Sequence, residues 1–133
     1  MIKLKCSHLF LYIFLLGCSI KSGDEVDFLF QEIMDAHDEV MPKMGMIRSL
    51  EKQCRSTALT SPDSLELIRQ AEILLNANEA MMAWMRDFNS NFQGSDREKR
   101  EYLLAQKMKV YRVKELMNSS LLKGEELVRS AIN

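Results

Sequence analysis

Glycine and proline are scarce, at five and two among 133 residues. A sandwich or barrel of short strands needs turn residues about every ten positions, so this scarcity excludes most all-β designs. Cysteine is nearly as rare, present only as Cys6, Cys18 and Cys54, and histidine occurs only as His8 and His37. A strong charge of one sign is also missing: 18 basic and 19 acidic residues leave a net charge of −1. Without a basic surplus to neutralise phosphates, nucleic acid is not expected as the main partner. Gly-x-Ser-x-Gly, a glycine-rich phosphate loop and His-Glu-x-x-His are all absent, so none of these catalytic signatures points to an enzyme. What fills the chain is Leu, Met, Glu, Lys, Arg and Ala, the good helix formers. The fold class expected is all-α.

The N-terminus is a different kind of segment. Lys3 and Lys5 make a short basic region, and an apolar run from Leu9 to Leu16 follows. That run is shorter than the roughly 20 residues a membrane-spanning helix needs. It ends in Leu15-Leu16-Gly17-Cys18, which resembles the lipobox of bacterial lipoproteins. The resemblance implies lipid transfer to the Cys18 sulfur and cleavage before it. Residues 1–17 then form a signal peptide, 18–23 a lipidated cysteine and tether, and 24–133 one domain. The expected location is a cell membrane or outer membrane, with the domain outside the cytoplasm. The partners expected are the membrane itself, through the N-terminal lipid, and an envelope protein. Cleavage removes Cys6 and His8, leaving His37 and one free thiol, Cys54. An intramolecular disulfide framework is thereby excluded.

About 110 residues suffice for one modest core. Apolar residues at helical spacing, with His37 on the same stripe, predict a first helix over about Asp24 to Ala58. Ile33, Val40, Ile47 and Cys54 face inward. Pro42 lies inside this pattern and predicts a kink near residues 38–42, because it lacks an N–H and its ring clashes with the preceding turn. Ser61-Pro62 reads as the start of a second helix running to about Phe92, with Leu67, Ala71, Leu74, Asn78, Met81, Met85 and Phe88 inward. Ser95-Asp96-Arg97-Glu98 reads as a capping box opening a third. Its inward face carries Leu103, Gln106, Val110, Val113, Met117, Ser120, Leu127 and Ala131. Short connections predict an up-down-up antiparallel three-helix bundle. Residues 18–92 carry 7 bases and 13 acids while residues 93–133 carry 9 and 6, so the third helix can dock on the first two electrostatically.

The residues with chemical potential are methionines. After cleavage nine remain, and they cluster: Met34, Met41, Met44 and Met46 around His37, and Met81, Met82 and Met85 around Trp84. A hairpin folded about residue 59 or 60 sets His37 opposite Met82, Met34 opposite Met85, and Met41 level with Asn78. Thioethers and one imidazole are a soft ligand set that suits Cu(I), and the Trp84 face can hold a cation. The candidate metal ligands are His37, Met34, Met41, Met82 and Met85. Non-covalent haem with His37 and a methionine as axial ligands is the neighbouring reading. The competing account is plain packing, since methionine is a flexible core filler. A His37–Cys54 dyad is excluded, because seventeen helical residues separate the two by about 25 Å.

The strings His37-Asp38-Glu39-Val40-Met41-Pro42-Lys43-Met44 and Met81-Met82-Ala83-Trp84-Met85-Arg86-Asp87-Phe88 resemble those of small helical lipoproteins of Bacteroidetes-type bacteria, often labelled viral A-type inclusion protein repeats. The resemblance spans essentially the whole chain after Cys18. It implies a helical exported lipoprotein and no particular activity.

Overall fold

Residues 22–132 are described by a computed structural model; the segment expected as a signal peptide and Cys18 lie outside the described residues. Four helical segments follow one another: α1 (Ser22–Val40), α2 (Lys43–Thr57), α3 (Ser64–Asp87) and α4 (Asp96–Ile132). No strand occurs among the described residues, so the all-α class holds, and the helices pack as a bundle in which α4 touches each of the other three. No helix among the described residues is long and apolar enough to cross a membrane.

The expected first helix is present as two pieces, broken at Met41-Pro42. The last regular bond of α1 at the break runs from the Met41 N–H to the His37 carbonyl at 3.0 Å. Pro42 has no N–H to continue the series. The chain keeps helical angles through it (φ −61°, ψ −24°) and resumes with a tighter contact, the Met44 N–H donating to the Met41 carbonyl at 3.2 Å. The predicted kink is thus an interrupted turn at residues 41–42.

The other boundaries need correction. The second helix does not open on Ser61 with Pro62 in its first turn. Ser61 Oγ instead accepts from the Asp63 N–H at 3.1 Å, a local turn that holds Pro62 and Asp63 outside the helix, and α3 starts at Ser64. Nor does it reach Phe92. Phe88 leaves the helix with extended angles (φ −75°, ψ 117°) after one last bond to the Trp84 carbonyl. Asn89 then turns the chain, its side chain accepting from the Asn91 N–H at 3.0 Å. The capping box is as read: Ser95 N–H and Oγ meet Glu98 Oε2 at 2.8 and 2.6 Å.

The inward stripes form one core. Ile33, Val40, Ile47, Cys54, Leu67, Leu74, Met81, Val110 and Met117 are fully buried. Val113, expected among them, is only half-buried because it edges a surface cleft beside Trp84. α4 can approach α2 closely because Gly124 is buried there without a side chain. Around the core runs a ladder of ion pairs. Arg100, Lys107 and Lys114 of α4 reach Glu25, Glu32 and Glu39 of α1, each partner 75 residues away and each rung seven residues from the last. Lys43 continues it to Asn118 at 2.7 Å with the same offset. Surface pairs of this kind contribute little to stability individually. Their larger effect is on register, since a slip of one residue would unmake every rung together.

Candidate functional site

His37 sits on the last turn of α1, at the break. Its side chain is 17% exposed, and three contacts define its position. Nδ1 lies 2.7 Å from Asp38 Oδ1. Nε2 lies 3.3 Å from Met85 Sδ, across the bundle on α3. The ring leans on Trp84, with centroids 5.8 Å apart and planes tilted by 40°.

These contacts carry a chemical consequence. An ionised carboxylate accepts and does not donate, so Asp38 places a proton on Nδ1. In a neutral ring the other nitrogen then presents a lone pair, and that lone pair is aimed at a thioether sulfur, which is also an acceptor. Two acceptors in contact need something positive between or on them: a second ring proton or a soft cation. A soft cation bound here would be held by Nε2 and Sδ, which stand 3.3 Å apart, as two neighbouring ligands.

The hairpin geometry behind the sequence reading was off by one step. His37 meets Met85, not Met82, and Asn78 bonds the Met44 carbonyl (Nδ2 donating, 3.3 Å) rather than lying level with Met41. The reason is the connection: residues 58–63 lie between α2 and α3, which moves the pairing centre past residues 59 and 60. Met82, expected as a ligand, is 45% exposed and follows the fully buried Met81. Met34 and Met41 are half-buried beside His37 in sequence, and Met41 packs on the core. Among the described residues no cluster of three His, Cys, Asp or Glu side chains could hold a metal ion, so a hard-ligand site is not on offer and the soft His37–Met85 pair stands by itself.

Trp84, read as a cation platform, is buried and covered. Phe88 stacks on it at 4.9 Å with planes 20° apart, and His37 occupies the space beside it. The lysines found over an aromatic ring are Lys107 and Lys114, at 5.8 and 5.5 Å from Tyr111. Beyond Phe88 the stacking continues through Tyr102 to Phe92, and the Tyr102 hydroxyl accepts from the Asn89 N–H at 2.7 Å. This aromatic column locks the end of α3 and thereby the position of Met85. Its only sequence signal was Phe88 on the inward stripe. Cys54, the one cysteine among the described residues, is fully buried; burial, reinforced by Glu51, pushes it above the ordinary thiol range.

The chain matches no protein family, no curated protein and no solved structure. The function must be argued from the site.

Proposed function

We propose that this chain is an exported lipoprotein, anchored through Cys18, whose helical bundle works by binding and not by catalysis. The ligand that best fits its chemistry is Cu(I), held by His37 and Met85. The observation that carries the ligand assignment is the 3.3 Å approach of His37 Nε2 to Met85 Sδ, with Asp38 on the opposite ring nitrogen. A carboxylate behind a metal-binding imidazole fixes its tautomer and raises its basicity. Nitrogen plus thioether is a soft set. Met34 on α1 and Met41 in the break just after it, one turn either side of His37 in sequence, are the neighbours able to complete a third position. Haem fits less well. Axial ligands on opposite faces of an iron stand about 4.3 Å apart if their bonds are of similar length, a full ångström more than the pair provides.

Anchoring is supported by Leu15-Leu16-Gly17-Cys18 and by a helical domain that begins four residues after that cysteine. The up-down-up arrangement belongs to the same reading. A constant offset of 75 between partners on α1 and α4 is what helices running the same way give. Partners that descend on α3 as they ascend on α2, Asn78 with Met44 and Glu72 with Arg55, are what opposed helices give.

The test uses the full chain purified in detergent under reducing conditions. It is titrated with Cu(I) against a chromogenic chelator, alongside Met85→Leu. Competition by the wild type that Met85→Leu loses supports the site. No competition, or equal competition by both, overturns it and leaves the methionines as core. Separately, Cys18→Ala should abolish incorporation of labelled fatty acid, and unchanged labelling would refute the anchor. Envelope cross-linking that recovers a defined protein, with no copper bound, would favour an interaction role for the bundle.

A further inference from the structure

Phe28 of α1 is 63% exposed and Leu104 of α4 42%, and the ion-pair ladder sets them side by side. Phe28 follows Glu25 by three residues and precedes Glu32 by four, so it shares their side of α1. Leu104 follows Arg100 by four and precedes Lys107 by three, and shares theirs. Those four charged groups form two adjacent rungs, Glu25 with Arg100 and Glu32 with Lys107. The two apolar side chains occupy the interval between the rungs. Leu104 also opens a stripe along α4. Met108 and Tyr111 follow it by four and seven residues, on one face of the helix, and are 59% and 41% exposed. Asp35 on α1 and Glu115 on α4, seven residues past Phe28 and four past Tyr111, close the patch. The outer surface of the α1–α4 pair thus carries four large apolar side chains in the half of the bundle where α1 begins.

Area, charge and place together say what covers it. At roughly 200 Å² for a side chain of this size, the four expose on the order of 400 Å². A patch of that size on a monomer marks an interaction surface. A specific interface between two proteins takes about 800 Å² from each partner, so a second copy would need about twice this patch. The charges along it are matched in pairs: Glu25, Glu32 and Glu39 meet Arg100, Lys107 and Lys114. A surface that presents both signs together meets zwitterionic headgroups without net repulsion. Place points the same way. Ser22 opens α1, and Cys18 stands four residues before it, a reach of up to about 14 Å. A helix with its side chains is about 10–12 Å across, so Cys18 can come down on the patch side of α1.

We propose that this face of the bundle rests on a zwitterionic phospholipid bilayer, with Phe28, Leu104, Met108 and Tyr111 entering its interface. The reading rests on the Cys18 anchor. Since the anchor already holds the bundle at the membrane, the contact is intramolecular in effect and a small patch suffices. Tyrosine suits that depth, its ring apolar and its hydroxyl wet. Lys107 and Lys114 hold their ammonium groups 5.8 and 5.5 Å from the Tyr111 ring centroid, at the edge of the patch, where long cationic side chains keep their charge among headgroups. The helices lie on the surface and do not enter it lengthwise. The orientation has a consequence for the copper pair. Nine residues separate Phe28 from His37, two and a half helical turns, so the two side chains leave α1 on opposite sides. With the patch on the bilayer, His37 and Met85 are turned away from it.

The experiment reconstitutes the full chain, as purified from membranes, in phosphatidylcholine vesicles. A fraction of the lipid carries a photoactivatable diazirine near the glycerol end of one acyl chain. The vesicles are floated and irradiated, and lipid adducts are mapped by mass spectrometry. Adducts should fall on residue 28 and residues 104–111, severalfold above those on Glu72, Asn76 and Glu79, which are exposed on α3. The double variant Phe28→Ser, Met108→Ser alters only exposed positions, where substitutions disturb stability little. It should still float and should lose the adducts on α4 severalfold. A chain that floats but is labelled equally on α3 and α4, or on neither, overturns this face and leaves the anchor standing. So does a double variant labelled as strongly as the wild type. Cross-links joining α4 of two copies, in place of lipid adducts, overturn it in favour of self-association. A chain that does not float removes the anchor, and this orientation with it.

Discussion

Gly124 of α4 and Leu50 of α2 are packed so closely that a methyl group at residue 124 would stand 2.7 Å from Leu50 Cδ2 and 3.2 Å from Leu74 Cδ1. Both leucines are buried, so neither can swing into solvent. Alanine ordinarily improves a helix interior over glycine by up to about 1 kcal/mol. Overpacking a filled core costs about 1–3 kcal/mol. Gly124→Ala should therefore destabilise the bundle by about 1 kcal/mol. Gly45 is the control, since a methyl group there meets nothing within 4 Å, and Gly45→Ala should be neutral or stabilising by up to about 1 kcal/mol. Chemical denaturation of the two variants checks both signs, and equal effects would contradict the close approach.

The capping box gives the bundle a pH dependence of known direction. Hydrogen bonds from the Ser95 hydroxyl and N–H hold the Glu98 carboxyl below the ordinary glutamate range. A group whose pKa is lower in the folded state stabilises above its unfolded pKa and loses that contribution as pH falls through the folded value. Stability should therefore drop from the usual glutamate range downward, and Glu98→Gln should flatten that part of the profile. Glu39, lowered by its bond to Lys114, acts in the same direction, so the flattening should be partial. Denaturation midpoints across the acid limb for both proteins measure it.

How far the sequence reached depended on whether a feature was periodic. Ile33, Val40, Ile47, Leu67, Leu74 and Met117 repeat at helical intervals, and all are buried as expected. Pro42 and the Ser95–Glu98 box act over one turn, so their effects could be read locally. Which residue faces which across the hairpin could not, because it depends on how residues 58–63 turn, and an error of one helical step exchanges Met82 for Met85. The His37–Asp38 contact was also hidden, since residues adjacent in a helix ordinarily point away from each other. The indole N–H of Trp84 and the amide oxygen of Gln106, both buried without a hydrogen-bond partner, were invisible for a deeper reason. Both residue types normally bond something, and only the packed neighbourhood reveals that here they do not.

Cys54 should be inert in the native protein. It has no exposed surface and its thiol is pushed above the ordinary range by burial, with Glu51 adding repulsion to the thiolate. The reactive form is the thiolate, so a thiol-specific reagent near neutral pH should modify Cys54 only at the rate of unfolding. The raised pKa also has a stability consequence. The neutral thiol favours the fold below the unfolded pKa, and that contribution is lost as pH rises through the folded one. Labelling in increasing denaturant checks the first point. Rapid labelling of the native chain would show that the end of α2 opens independently of the bundle.

The carboxylate of Asp38 separates a metal site from core packing most sharply, because it contributes little to the core. Its side chain is 71% exposed while the imidazole it touches is 17% exposed. If His37 and Met85 bind Cu(I), Asp38 is the group that keeps the proton on Nδ1 and the lone pair on Nε2, and losing such a partner typically weakens metal binding by about 10- to 100-fold. Asp38→Asn should therefore reduce Cu(I) affinity by about that factor while leaving the denaturation midpoint nearly unchanged. Met82→Leu, at an exposed position, should leave affinity untouched, although the sequence pattern predicted it opposite the imidazole. The same chelator competition measures all of these proteins. A pattern in which Met82→Leu weakens binding and Asp38→Asn does not would mean that the copper ligands lie on the solvent side of α3, and the His37–Met85 pair would then be packing.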